Sequence, residues 1–361
     1  MVEWKKLGDI MTIVRGASPR PIKNYITSSE DGVNWIKIGD VPPDTKFITS
    51  SNEKITKEGA EKSRFLHAGD FVLSNSMSFG RPYILKIDGC IHDGWIAMSD
   101  FEHYVSSGYL YEILNSNSVQ DYWKMKANNG GAMTNLNSDI VRETVIPIPS
   151  LSEQTRIVGI LDTFTASIEN LKQQISERRK QYEYYRDQLL DLALVKWPKV
   201  NLKDVAIIKN GKDYKNLSEG NIPVYGTGGI MTYVDKFASE SPSVLLPRKG
   251  SVDNIYYVDE PFWTVDTLYW TEINTNKILP KYLFVSLRRY NLKDYAYGGA
   301  RPSLSQPILY KLEISLPSLQ EQSRIVSILD TFEASIANLE AQLKQREKQY
   351  EYYRNKLLTF E

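Results

Sequence analysis

Apolar residues along the middle of the chain fall at alternating spacings of three and four: Ile157, Leu161, Phe164, Ile168, Leu171, Ile175, then Tyr182, Tyr185, Leu189 and Leu192. The same register returns as Ile325, Leu329, Phe332, Ile336, Leu339, Leu343, Tyr350, Tyr353, Leu357 and Phe360. A heptad pattern held this long predicts two long helices joined by a coiled-coil seam, rather than helices with an ordinary globular face. At about 1.5 Å per residue, about 40 residues of helix would reach about 60 Å. Arg178 and Arg346 interrupt the seam at one shared heptad position. Each guanidinium either snorkels out at the seam edge or fixes register between the helices. Ser150 with Glu153, and Ser318 with Glu321, have the S-x-x-E spacing of a capping box, in which the glutamate reaches back to the cap. Pro149 and Pro317 stand just before these starts, and Pro198 marks a boundary after the first helix.

Outside the helices the pattern changes to short β-rich runs broken by Gly, Pro and Asn. Trp35–Ile38, Phe71–Leu73 and Tyr83–Ile87 precede the first helix; Ser243–Leu246, Ile255–Val258 and Thr267–Trp270 precede the second. Each globular region then shows an amphipathic helix, near Ser118–Ala127 or Pro280–Tyr290. A glycine loop follows, Gly130–Leu136 or Gly298–Leu304, and then one strand. The openings also correspond, since Asn201–Gly211 echoes Lys6–Gly16. These boundaries predict a first globular domain over 1–149, a helix over 150–196, a second globular domain over 197–316 and a second helix over 317–361.

The helices are copies. Pro149-Ser150-Leu151-Ser152-Glu153-Gln154 returns 168 residues later as Pro317-Ser318-Leu319-Gln320-Glu321-Gln322, and about 29 of 42 aligned positions are identical. A period this long is no solenoid repeat; one unit of globular region plus helix has been used twice. The expected fold is therefore α+β: two similar β-rich domains separated by two helices in an antiparallel coiled coil, with an internal pseudo-two-fold. The domain interiors diverge strongly, as two different recognition surfaces would need.

Composition narrows the function classes. The chain has 361 residues, 42% of them apolar and 24% charged. No run of about 18 apolar residues suggests a membrane span and no signal segment follows Met1, so the cytoplasm is the expected location. The single cysteine, Cys90, reads as a packed thiol. His67, His92 and His103 lack zinc-motif spacing, so no metal or cofactor is expected. The net charge is zero, whereas free-standing nucleic-acid binders usually carry a basic excess. Any basic surface must be local, or a partner must supply it. Phosphate-loop, dinucleotide and nucleophile-elbow motifs are missing, and carboxylates such as Asp93 and Asp266 stand singly, at matched places, which suits turns or caps or else a polar contact near a ligand. The chain is thus expected to be non-catalytic.

Together, the paired helix motifs, the Lys180–Arg186 tail with its copy, and the strings Ile222–Gly229 and Pro247–Ser251 resemble the DNA-specificity subunit of Type I restriction-modification systems. The resemblance spans the whole chain. It implies target-recognition domains that bind double-stranded DNA at a bipartite, asymmetric site. It also implies two copies of an adenine methyltransferase subunit and an ATP-dependent restriction subunit as partners. The coiled coil would set the spacer between the two halves of the site. A non-catalytic two-domain adaptor that binds protein is the alternative. The family fixes no base-reading residues, so candidates rest on chemistry: loop residues flanked by glycine or proline that can present donors to a groove. In the first domain these are Asn75, Ser76, Ser78, Arg81, Asn128, Asn129, Thr134 and Asn135. In the second they are Tyr225, Arg248, Lys249, Ser251, Asn254 and Arg301. Tyr182, Tyr185, Tyr350 and Tyr353 are expected in the seam core, whereas Tyr184 and Tyr352 lie off the seam as candidate docking points.

Overall fold

The computed structural model describes residues 2–42, 45–75, 79–127, 135–191, 197–299 and 302–360. The chain divides into two compact units, Met1–Asn170 with Leu343–Glu361, and Leu171–Gln342. Each unit thus combines a globular domain with stretches of both long helices.

In the first unit a four-strand antiparallel core runs in the order Thr12–Arg15, Trp95–Ser99, Phe71–Ser74, Pro82–Leu85, and the short strand Phe47–Ile48 adds in parallel at its edge. In the second unit Ala206–Asn210, Leu268–Ile273, Ser243–Pro247 and Tyr256–Val258 follow the same order. Both central strands are buried along their whole length, Phe71–Ser74 and Ser243–Pro247, which is why they read as continuous apolar runs rather than alternating ones. A two-stranded pair closes each unit: Glu3–Lys6 with Val145–Ile148, and Lys199–Asn201 with Glu313–Ser315. The second sheets differ. The first unit has five strands there and the second has three, so the frame is duplicated and the content is not.

One glycine in each unit shows how literal the duplication is. A Cβ on Gly16 would sit 2.1 Å from the His92 carbonyl oxygen, and one on Gly211 would sit 2.0 Å from that of Val265. No side chain fits at either place.

The long helices run over Leu151–Leu190 and Leu319–Leu357. Residues 192–196, including Leu192 of the expected seam, lie outside the described residues. Ser150 and Ser318 do cap, each accepting at 3.3 Å from the N–H of the glutamate three residues on. The glutamates do not reach back as a capping box requires. Both oxygens of Glu153 accept from Arg156, and those of Glu321 from Arg324, because a bidentate guanidinium pair outcompetes one backbone N–H.

The motif's glutamines carry more. Gln154 is fully buried; it accepts from Ser106 N–H at 2.8 Å and donates to the carbonyls of Tyr104 and Pro149. Gln322 is buried likewise, accepting from Leu279 N–H at 2.8 Å and donating to Lys277 and Pro317. Each helix is therefore pinned to its own domain at its first turn.

The seam is less uniform than its heptads. In the second unit the helices pair antiparallel, with Arg179 at 2.6 Å from Glu340, the Tyr182 hydroxyl donating to Glu333, and Tyr185 stacked on Phe332. In the first unit Tyr353 stacks on Phe164 in the same way. Leu161, Ile168, Ile175, Tyr182 and Leu329 are buried, while Leu171, Leu189, Ile336, Leu339, Leu343, Tyr350 and Leu357 are half-buried. Tyr185 and Tyr353 are not core as expected: they remain 46% and 41% exposed, because two helices cover only one face of each ring. Arg178 lies over Phe332 and Arg346 over Phe164, at 5.8 and 5.7 Å from the ring centres. The guanidiniums therefore cap the aromatic stack, and Arg178 also donates to Gln181 at 3.1 Å.

Candidate nucleic-acid interface

The frame places a matched hub in each unit, at the end of the buried central strand. In the second unit Arg248 follows Pro247; its N–H donates to the Thr267 carbonyl at 2.9 Å and its guanidinium to the Asp266 carbonyl at 3.4 Å. The guanidinium also lies 5.8 Å from the Tyr269 ring centre. Lys249 pairs with the Asp266 carboxylate at 2.7 Å. The end of the glycine loop returns here, with Leu304 N–H donating to the Arg248 carbonyl and Gly250 N–H to that of Pro302.

In the first unit Asn75 holds the equivalent place. Its N–H donates to Gly94, its side-chain amide donates to the Asp93 carbonyl at 3.1 Å, and Leu136 N–H donates to its own carbonyl. Asn75 is only 7% exposed, so its amide is spent on the frame and positions the loop rather than reaching outward. The Arg15 guanidinium shares the Asp93 carbonyl, Arg20 lies 3.5 Å from the Asp93 carboxylate, and Ser18 donates to that carboxylate. The Ser18 hydrogen bond holds the Asp93 carboxyl below its ordinary range, so it stays ionised beside the arginines. Asp93 and Asp266 thus serve as turn anchors through their carbonyls and as counter-charges for local cations.

Around the second hub, Asn254 and the Tyr256 hydroxyl both donate to the Thr227 carbonyl, at 2.7 and 2.9 Å, and the Tyr225 ring packs 5.9 Å from that of Tyr256. Burial raises the Tyr225 hydroxyl pKa. Ser251 and Asn254 are exposed, and Arg248 is half-buried. Asn135 is exposed beside the first hub, while Arg81 is half-buried and donates its N–H to Ser74 Oγ. Ser76, Ser78, Asn128, Asn129, Thr134 and Arg301 lie outside the described residues. Sequence reasoning missed Arg15, Ser18 and Arg20; the echoed glycines Gly16 and Gly211 were the signal, because they mark where the chain enters the hub.

Away from the hubs, the helices carry a matched ledge. Arg178, Lys180, Gln181, Tyr184, Tyr185 and Phe332 line a shallow groove in the second unit. Tyr184 meets Tyr185 edge-on, as Tyr352 meets Tyr353 in the first unit, and Tyr184 and Tyr352 are 61% and 59% exposed. Among the described residues no cluster of His, Cys, Asp and Glu could hold a metal ion, and no helix is long and apolar enough to cross a membrane.

The sequence model of the Type I restriction modification DNA specificity domain matches residues 1–178 and 195–348. The chain is 28% identical over 396 residues to a putative type I restriction enzyme specificity subunit of Haemophilus influenzae, covering 99% of this chain and 96% of that one. It is 24% identical over 356 residues to the specificity subunit of the Escherichia coli type I restriction enzyme EcoprrI, covering 92% and 88%. Its fold is similar to the S subunit of a Type-I restriction-modification system from M. genitalium, with a TM-score of 0.58 at 17% identity, covering 100% and 97%.

Proposed function

Because the chain belongs to the Type I restriction modification DNA specificity family, we infer that it reads a bipartite, asymmetric DNA target through its two hubs and holds the catalytic subunits in place. Target recognition on DNA is the family's role, and the subunit is non-catalytic. The observation that carries the bipartite reading is one frame with two fillings: Asn75 in one hub occupies the place of Arg248 in the other. The Asn75 amide is turned into the frame while the half-buried Arg248 brings a guanidinium to its hub, so two similar domains present different surfaces. Lys249 and the loop candidates around each hub are the side chains proposed to reach bases or phosphates.

Two copies of an adenine methyltransferase subunit dock on the helix ledges, through Tyr184 and Tyr352. Support comes from the repetition itself: identical residues in identical contacts suit identical partners, and exposed aromatic anchors suit a protein interface. An ATP-dependent restriction subunit completes the assembly in the cytoplasm. Partner cations also reconcile DNA binding with a net charge of zero. The test is to express the chain with and without a candidate methyltransferase and sequence methylated adenines. The expected result is methylation at one split motif, only when both chains are present. Copurification with partners that lack methyltransferase activity, and no methylated motif, would favour the adaptor reading.

A further inference from the structure

The first unit contains a cavity of about 480 Å³ beside its hub, and its lining is basic. Arg81, Lys124 and Arg354 contribute cations, Asn115, Asn117 and Gln120 contribute amides, and among the described residues no carboxylate lines it. Asn117, Gln120 and Lys124 recur at spacings of three and four along the helix Asn117–Ala127, which puts them on one face. Asn117 stands at the start of that helix, where its dipole favours an anion, whereas Asn115 caps the end of the preceding helix, Ser107–Leu114, and donates its amide to the Tyr111 carbonyl at 2.8 Å.

Lys124 makes a pair with Asp121 at 3.4 Å that is open to solvent on both sides. Arg354 lies over the Tyr350 ring, and its Nε is buried without a hydrogen-bond partner. The neighbouring acid, Glu112, is buried and engaged by the Tyr350 hydroxyl at 2.8 Å.

The cavity is also tied to the candidate reading loop. Gln120 donates to the Gly80 carbonyl at 3.1 Å. Gly80 has a left-handed φ of 66°, and a Cβ there would meet Trp123 at 2.9 Å. Arg81, the next residue, lines the cavity itself.

We propose that this cavity seats one DNA backbone phosphate, held by Lys124 and Arg354, and so fixes the position of Gly80 and Arg81 beside the hub. The proposal rests on the DNA-reading function above and adds a sequence-independent anchor to it. A seated phosphate carries no base information, so its loss weakens every duplex alike.

The test uses the full chain copurified with its methyltransferase partner, titrated with a duplex carrying the methylated motif and with a scrambled duplex. Lys124→Gln and Arg354→Gln should each reduce the dependence of log affinity on log salt by about 0.9. That corresponds to a wild-type advantage that shrinks about 3.5-fold between 50 and 200 mM salt, equally on both duplexes. Lys124→Arg should keep the slope, and thermal melting should confirm that each variant is folded. An unchanged slope in folded Lys124→Gln overturns the proposal. So does a relaxed base in the methylated motif, which would make the contact a base reader. So does a cavity that binds inorganic phosphate while the variants bind DNA as tightly as wild type. If wild type itself fails to distinguish the two duplexes, the target-reading function fails, and the slopes still decide the anchor.

Discussion

Replacing Gln154 with methionine keeps the side chain's length and removes its polar atoms, so it isolates the hydrogen bonds from any cavity. The loss is three bonds at 2.8, 2.9 and 3.0 Å. At about 1 kcal/mol each, the cost comes to about 3 kcal/mol. For a unit of this size that lowers the melting transition by about 6–12 °C. Gln322→Met should cost about the same, because Gln322 makes the same three kinds of bond in the second unit. Calorimetry of both variants gives the measurement. Leu151→Ala in the same helical turn serves as control, since Leu151 is 56% exposed and its loss should stay within about 0.5 kcal/mol. A shift below about 1 °C for folded Gln154→Met would refute the view that the motif's glutamine pins helix to domain.

Gly211→Ala should destabilise by at least about 3 kcal/mol or prevent folding, because the new Cβ would meet the Val265 carbonyl oxygen at 2.0 Å; soluble yield and urea unfolding read this out. Burial is the main cause that raises the Glu112 carboxyl above its ordinary value of 4.5, so the folded state holds that proton more tightly than the unfolded chain. Its contribution is fully present below the ordinary value and is lost as pH rises through the raised one; Glu112→Gln should flatten that fall, and a slope unchanged by the substitution would count against it. Tyr184→Ala with Tyr352→Ala should abolish copurification with a methyltransferase partner while leaving melting nearly unchanged, because both rings are mostly exposed. Adding one heptad to both long helices, about 10 Å, should lengthen the spacer of the methylated motif by about three base pairs, and an unchanged spacer would show that the helices do not set it.

The frame was far more legible than the site. Heptads and a repeat of identical residues are dense local signals, so the helices and their starts could be read directly. The role of Gln154 could not, because a buried glutamine bonding three backbone groups far away in sequence looks like any polar residue on a helix. Tyr185 departs from the expected core for a related reason: a heptad position gives the direction of a side chain but not how many neighbours cover it. Loop composition points Asn75 outward as a reader, yet its amide is turned inward to the Asp93 carbonyl. Periodicity reports faces; it does not report which long-range partner a polar group finds.

That inward turn bears on how one fold can serve two targets. At each hub the backbone bonds are the same: the residue after the central strand donates to the turn beside the aspartate and accepts from the end of the glycine loop. These bonds need no particular side chain, so the frame survives substitution at the very position it presents. Arg248 can replace Asn75 because both reach the aspartate carbonyl, one with a guanidinium and the other with an amide. The guanidinium brings a cation and several further donors to the surface, whereas the short amide is used up by the frame. In the first unit the cations come instead from Arg15 and Arg20, on the neighbouring strand and the loop after it. Divergence has therefore moved the charge to different elements around a constant hub, and two readers built on one plan can meet different bases without any change in the backbone bonds that hold that hub.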